Sequence, residues 1–127
     1  MIKGIGIDIV ELDRFRRAMA RGGKRFLERI YTSHERSGGR SRKDRLQYFA
    51  SRFAAKEAVL KALGTGWSGG IAWTDVEIVG NAAGSPSVKL SGVARTTARK
   101  QGMGKIHLSL THTESSAAAV AIAEGPR

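Results

Sequence analysis

The sequence predicts an α+β fold in which one long buried helix packs on a mostly antiparallel sheet. Three features carry that expectation. A helical stretch from Asp44 to Leu63 is apolar on nearly every side, so it belongs inside the molecule. The opening residues alternate as a short strand. The closing residues give two more strands, the last alanine-rich and almost unbroken in its apolar run, which marks it as central.

Taken in order, Met1 to Val10 (MIKGIGIDIV) is the first strand, with Ile5, Ile7 and Ile9 alternating with Gly4, Gly6, Asp8 and Val10. Asp8 is the one ionisable group on a glycine-rich face. Its setting fits a strand-end or turn aspartate beside a bulge, or a backbone that passes close to a ligand. Glu11 to Ala20 reads as a helix with Leu12, Phe15 and Met19 inward and Ala18 at the border. Gly22-Gly23 ends it, and Lys24 to Tyr31 forms a second helix or turn with Phe26, Leu27 and Ile30 inward. Thr32 to Lys43 is rich in glycine, serine and arginine and is expected to be a mobile loop, with at most one helical turn at Ser33–Arg36. His34 is expected to be exposed and idle. Asp44 is placed to cap the long helix.

Beyond Gly64, residues 67–70 form a loop, and Ile71–Trp73 and Asp75–Val79 read as a strand or strands. Asn81–Pro86 is a turn, Ser87–Leu90 a short strand, and Ser91–Lys100 a basic amphipathic helix ended by Gly102. The last two strands, Lys105–His112 and Ser116–Glu124, are joined by Thr113-Glu114-Ser115. There are no internal repeats and no linker, and the expectation is one domain over residues 1–127.

Composition narrows the function classes. At 127 residues the chain can bury a hydrophobic core, and 41% hydrophobic with 26% charged residues excludes a disordered chain. With no cysteine there is no disulfide framework, thiolate metal site or thiol nucleophile. That fits a reducing compartment, and the location expected is cytoplasmic. No run approaches the roughly 20 apolar residues of a membrane span, and no signal peptide is expected. The outlier is the net charge of +11, from 22 Lys and Arg against 11 acids. It points to an anionic partner: nucleic acid, an anionic membrane, or an acidic protein or phosphorylated substrate. Seven Lys/Arg fall between positions 14 and 29 with only Glu28 as an acid there, which reads as a docking patch for an anionic partner.

The long helix is where chemistry concentrates. At 100° per residue, Leu46, Phe49, Phe53, Leu60 and Leu63 fall on one apolar arc, and Ala50, Ala54, Ala55, Ala58 and Ala62 cover most of the rest. Glu57 lies at the border of the arc about 40° from Phe53, with Lys61 about 40° further on. Lys56 projects into the arc itself. Two readings stay open: Glu57 and Lys61 as an ordinary i,i+4 pair with Lys56 snorkelling, or a site for a polyanionic ligand beside the Gly64-Thr65-Gly66 turn. In Lys105–His112 strict alternation puts His107, Ser109 and Thr111 on one face. His112 ends the opposite, apolar row, as a histidine satisfied at a sheet edge or as a ligand contact.

Two segments together carry a resemblance. Gly4-Ile5-Gly6-Ile7-Asp8-Ile9-Val10-Glu11-Leu12 contains a G-x-D near the start, and Arg52-Phe53-Ala54-Ala55-Lys56-Glu57-Ala58-Val59-Leu60-Lys61-Ala62-Leu63-Gly64-Thr65-Gly66 contains K-E-A-x-x-K-A. These resemble the paired signatures of the 4′-phosphopantetheinyl transferase superfamily. The length, the Gly-Ile-Asp-Ile-Val start and the closing Leu110-Thr111-His112-Thr113 look like its short bacterial form, the holo-[acyl-carrier-protein] synthase family. The resemblance covers essentially the whole chain; its second motif is the specific one.

The resemblance implies a 4′-phosphopantetheinyl transferase fold and a transferase of fatty acid biosynthesis. It would move the 4′-phosphopantetheine arm of coenzyme A onto a serine of an acyl carrier protein and release adenosine 3′,5′-bisphosphate. It further implies a homotrimer with active sites between neighbouring subunits. Two carboxylates with phosphate oxygens suit Mg²⁺, so Asp8 and Glu57 are the expected metal ligands, with Lys61 reaching the same phosphate as a point charge. Gly64, Thr65 and Gly66 would admit the coenzyme close to backbone. By the family match Arg52, Phe53, Pro86, Thr111 and His112 line its pocket, with a basic group on the 3′-phosphate. Glu57, a metal-held water or His112 could accept the serine proton. Arg14, Arg21, Arg25 and Arg29 would dock the acidic carrier, with Met19 and Phe26 as apolar anchors. The competing reading is a basic nucleic-acid-binding module. Only 6% aromatics and no stacking pattern speak against it, and it leaves Asp8, Lys56 and Glu57 unexplained.

Overall fold

The computed structural model describes residues 1–66, 68–80 and 85–127. Strand β1 (Ile2–Glu11) runs into α1 (Leu12–Ile30), followed by α2 (Ser33–Gly39) and α3 (Arg45–Leu63). After two 3₁₀ turns come β2 (Val76–Val79), β3 (Ser87–Leu90), α4 (Gly92–Lys100), β4 (Lys105–His112) and β5 (Ser116–Glu124). The expected α+β architecture is what forms. One antiparallel sheet has the order β1-β5-β4, with the alanine-rich strand in the centre, and β2 pairs with β3 separately. Position 67 and residues 81–84 of the expected turn lie outside the described residues.

The inner face of the sheet is built from very small side chains, which lets α3 lie close to it. Gly4, Gly6, Asp8 and Val10 of β1 pair with Ala123, Ala121, Ala119 and Ala117 of β5. All four alanines are buried, as are Ala54, Ala55, Ala58 and Ala62 of α3. A Cβ on Gly4 would sit 2.1 Å from the Ala62 carbonyl oxygen, and one on Gly6 only 1.8 Å from that of Ala58. Helix backbone, rather than a ligand, therefore explains these two glycines, and the β1–β5 ladder shifts register just before Gly4.

The outer face is the reverse. Ile5, Ile7 and Ile9 are 60%, 66% and 69% exposed, and the ladder sets them beside Ile122, Val120 and Ala118. A contiguous apolar face of this kind is unusual on an isolated subunit.

Several local expectations need correction. The segment after Tyr31 is not a mobile loop. Thr32 and Glu35 form a capping box, with Glu35 N–H donating to Thr32 Oγ1 at 3.2 Å and Thr32 N–H to Glu35 Oε1 at 2.9 Å. That starts α2 and turns Glu35 into the core. Gly38 and Gly39 are the space into which Tyr48 packs: Cβ atoms there would lie 2.5 and 2.6 Å from its hydroxyl and ring. Asp44 sits at the N-cap of α3 but makes no capping bond, because Arg42 holds both its oxygens, at 2.7 and 2.9 Å. Ile71–Trp73 is not a strand. Trp73–Asp75 is a 3₁₀ turn, since the Asp75 carboxylate folds back to accept Ala72 N–H at 3.3 Å. The break expected at Gly22-Gly23 appears as a kink within α1, where Gly23 takes φ 56°, ψ −138°.

Candidate active site

Helix α3 positions the site. Along β1, Gly4 meets Ala62 and Gly6 meets Ala58, so each two-residue step along the strand retreats one helical turn. The same progression carries Asp8 to the level of the turn that ends at Glu57. Lys61, one turn on, reaches back to it: its Nζ donates to the Ile7 carbonyl at 2.9 Å and to Asp8 Oδ1 at 3.2 Å. The Asp8 side chain is 17% exposed and that of Lys61 52%, so the pair opens on solvent. At the end of α3, Gly64 takes the left-handed φ of 77° that caps the helix, and Gly66 follows at 55°. Among the described residues nothing beyond the chain neighbours lies within 4 Å of where their Cβ atoms would be, which leaves room at this turn.

Lys56 does not snorkel. It is fully buried and pairs with Glu35 at 2.8 Å, while also donating to the carbonyls of Trp73 (3.2 Å) and Val76. Glu35 spends its other oxygen on Ile78 N–H at 2.8 Å. Burial lowers the Lys56 pKa from its ordinary value, and the Glu35 charge works against that. This clasp fastens α2 and β2 to α3 on the side away from the sheet. Glu35 was legible only as a Thr-x-x-Glu capping box, and the requirement that a buried lysine find an acid could have pointed to it.

Phe53 and Phe26 belong to one aromatic row. Phe15 contacts Phe26 edge-on at 5.6 Å and Phe53 at 5.4 Å, and Phe53 stacks on Trp73 at 5.0 Å. Arg52 lies over the Tyr48 ring, its guanidinium carbon 3.7 Å from the centroid. Arg14, Arg21, Arg25 and Arg29 are all exposed on α1, and Met19 and Phe26 are half-buried beneath them. Pro86 is half-buried just before β3.

His112 and Thr111 stand apart from Asp8. His112 pairs with Ala117 and Asp8 with Ala119, on opposite sides of β5. Two strand spacings and a two-residue offset separate them by about 12 Å within one chain. Both Thr111 and His112 are exposed. A cavity of about 690 Å³ lies elsewhere, between α1, α2 and α3, over Met19, Leu27, Leu46 and Phe49. Among the described residues no three His, Asp or Glu side chains converge on one point. Two carboxylates with oxygens from elsewhere are a donor set that Mg²⁺ accepts in phosphate chemistry. No helix among the described residues is long and apolar enough to cross a membrane.

Known proteins resemble this chain along nearly its whole length. Residues 4–123 match the model of the 4′-phosphopantetheinyl transferase superfamily. A holo-[acyl-carrier-protein] synthase of Desulforudis audaxviator is 48% identical over 126 residues, covering 99% of this chain and 95% of that protein. The crystal structure of the Neisseria meningitidis holo-[acyl-carrier-protein] synthase superposes with a TM-score of 0.89 at 37% identity, over 98% and 99% of the two chains. That of a Bacillus anthracis synthase in complex with CoA (3′,5′-ADP) gives 0.82 at 34% identity, over 99% of each. With the fold, both sequence signatures and full-length relatives in agreement, the chain belongs to the 4′-phosphopantetheinyl transferase superfamily, in its holo-[acyl-carrier-protein] synthase branch.

Proposed function

We propose that this enzyme transfers the 4′-phosphopantetheine group of coenzyme A to a serine of an apo acyl carrier protein in a Mg²⁺-dependent reaction that serves fatty acid biosynthesis in the cytoplasm. The observation that carries the reading is the meeting of Asp8 with Lys61, one turn from Glu57, on an open edge of α3. Asp8 and Glu57 would hold the metal, which when bound neutralises charge on the diphosphate. Lys61 donates to a non-bridging oxygen of the same diphosphate, where negative charge grows in the transition state. The serine Oγ forms a bond to the phosphorus next to pantetheine, and the bond from that phosphorus to the bridging oxygen breaks. Adenosine 3′,5′-bisphosphate leaves with the electron pair, and the serine proton passes to solvent or to Glu57. The open Gly64-Thr65-Gly66 turn gives the coenzyme room against backbone.

The reading includes a homotrimer with sites between subunits. Two observations support it: the exposed Ile5, Ile7 and Ile9 face, and the roughly 12 Å between Asp8 and His112 in one chain. A neighbour's Thr111 and His112, with Arg52, Phe53 and Pro86, would complete the coenzyme pocket. Arg14, Arg21, Arg25 and Arg29 would meet the acidic carrier, with Met19 and Phe26 beneath. The test is mass spectrometry of an apo carrier incubated with the protein, coenzyme A and Mg²⁺. A gain of the phosphopantetheine mass on the acceptor serine is expected. An unmodified serine after long exposure to the enzyme would end the reading.

A further inference from the structure

The cavity between α1, α2 and α3 lies apart from the groups proposed for transfer. Lys61 lies about 18 Å further along α3 than Phe49, which sits at the bottom of the cavity. Up to the kink at Gly23, Arg16 and Ala20 lie roughly 100–160° round α1 from Arg14 and Arg21. The cavity therefore opens on a different flank of α1 from the proposed carrier face, and Met19 alone among its lining residues is common to both.

Its lining divides into two zones. The floor is Met19, Ala20, Leu27, Leu46 and Phe49, the last only 1% exposed. Apart from the weakly accepting Met19 sulfur, none of these side chains can form a hydrogen bond. A nucleobase, sugar or peptide seated there would give up water without a replacement partner, whereas a hydrocarbon chain would gain by leaving water.

The rim is cationic. Arg16, Lys24, Arg36, Arg40 and Arg45 stand there against one acid, Glu28. Among the described residues Lys24, Arg40 and Arg45 form no ion pair. Arg36 meets Glu28 at 3.5 Å through Nη1, while its Nε is buried with no hydrogen-bond partner. Arg45 leans over the floor, its guanidinium carbon 5.4 Å from the centre of the Phe49 ring. The volume of about 690 Å³ falls within the range of about 300–1,000 Å³ usual for small-molecule sites. An apolar floor beneath unpaired cations is complementary to an amphiphilic anion.

We propose that this cavity is a binding site for a single acyl chain that ends in an anionic head, a carboxylate or a phosphate. The chain lies on Met19, Leu27, Leu46 and Phe49, and the head meets Arg36, Arg40 and Arg45 at the mouth. A concave site of this size takes one chain rather than the face of a bilayer. The proposal does not depend on the transferase reading.

The experiment is calorimetric titration of the full-length protein with laurate and with dodecyl phosphate, each below its micelle concentration. Butyrate, dodecyltrimethylammonium and phosphatidylglycerol vesicles serve as comparisons. One saturable site per chain for at least one of the two anions is expected, with no binding of butyrate or of the cationic amphiphile. Arg40→Glu with Arg45→Glu reverses two exposed charges and should weaken binding about 10- to 100-fold, the effect of losing a hydrogen bond to a charged group. Ala20→Trp, at an exposed lining position, should fill the cavity and weaken binding comparably. Thermal melts check both variants, and the charge variant decides alone if Ala20→Trp is unfolded. No saturable binding of either anion, equal binding of the cationic amphiphile, or undiminished binding in a folded variant would overturn the proposal. Binding to the vesicles without binding to the monomeric anions would assign the patch to a membrane surface and overturn it as well. Each of these outcomes leaves the transfer assay untouched, so the two readings fail separately.

Discussion

Lys61 Nζ lies 3.2 Å from Asp8 Oδ1, joining the edge of α3 to β1 across 53 residues of sequence. With the lysine 52% exposed, such a pair contributes at most about 1 kcal/mol to folding. In the proposed reaction its geometry serves chemistry, and stability and activity should therefore separate. Asp8→Asn and Lys61→Met should each keep the melting temperature nearly constant. Lys61→Met is expected to lower kcat by about 10²–10³-fold, the usual effect of removing one donor to developing charge. Asp8→Asn and Glu57→Gln should raise the Mg²⁺ concentration needed for half-maximal transfer. If Glu57→Gln left Mg²⁺-dependent transfer intact, the metal assignment would be wrong.

The Lys56–Glu35 clasp makes the opposite prediction. Both side chains are fully buried, so removing one strands the other's charge. Lys56→Met should cost about 3–5 kcal/mol in denaturant unfolding. Adding Glu35→Gln, which removes the stranded charge and keeps an acceptor for Ile78 N–H, should recover a large part of that loss. A double variant no more stable than the single one would mean that charge compensation is not what the pair provides.

The exposed isoleucines predict an assembly. Replacing Ile7 and Ile9 by lysine puts two charges on the outer sheet face without touching α3. Sedimentation velocity should show the wild type as a trimer and the variant as a monomer of undiminished secondary structure. Transfer activity should be lost with assembly, because in the proposed trimer Thr111 and His112 would complete a neighbour's site. A wild type that sediments as a monomer at micromolar concentration would exclude inter-subunit sites.

Charge on α1 should affect carrier encounter and little else. Arg14→Glu with Arg25→Glu is expected to raise the KM for the carrier about tenfold or more at low salt, and less at high salt, while coenzyme affinity stays constant. Equal loss of both affinities would move these arginines to the coenzyme pocket.

The chain's two tyrosines predict an alkaline limit. Burial raises the Tyr31 pKa well above its ordinary value near 10, with the Glu35 charge adding to it, and burial also raises that of Tyr48. A phenol whose folded pKa is raised stabilises the fold fully below pH 10, where both states are protonated. From about pH 10 upward the unfolded chain releases protons that the native state keeps, so stability falls with rising pH. Tyrosinate absorbance should appear together with loss of the circular dichroism signal. Tyrosinate forming in the folded protein near pH 10 would contradict the buried hydroxyl bond from Tyr31 to the Phe49 carbonyl at 2.6 Å.

Local chemistry was enough to specify much of this molecule. The continuous apolar circumference of α3 announces its burial, Gly64 its end, and the alanine run of Ser116–Glu124 its central place in the sheet. Each is a property of side-chain periodicity or backbone freedom within a few residues. The pairing of Asp8 with the Lys61 helix turn followed only from recognising two motifs together, since nothing local says that they meet. Tertiary structure alone decided the rest. Gly4 and Gly6 look like a ligand-facing backbone until α3 is seen lying on them. Ser37-Gly38-Gly39 looks mobile until Tyr48 fills the space its glycines leave. Lys56 looks as though it should snorkel until Glu35, folded in by its own capping box, compensates it in the core. In each case the meaning of a small or charged residue depends on what approaches it from far away in sequence, and that is set by packing rather than by neighbours along the chain.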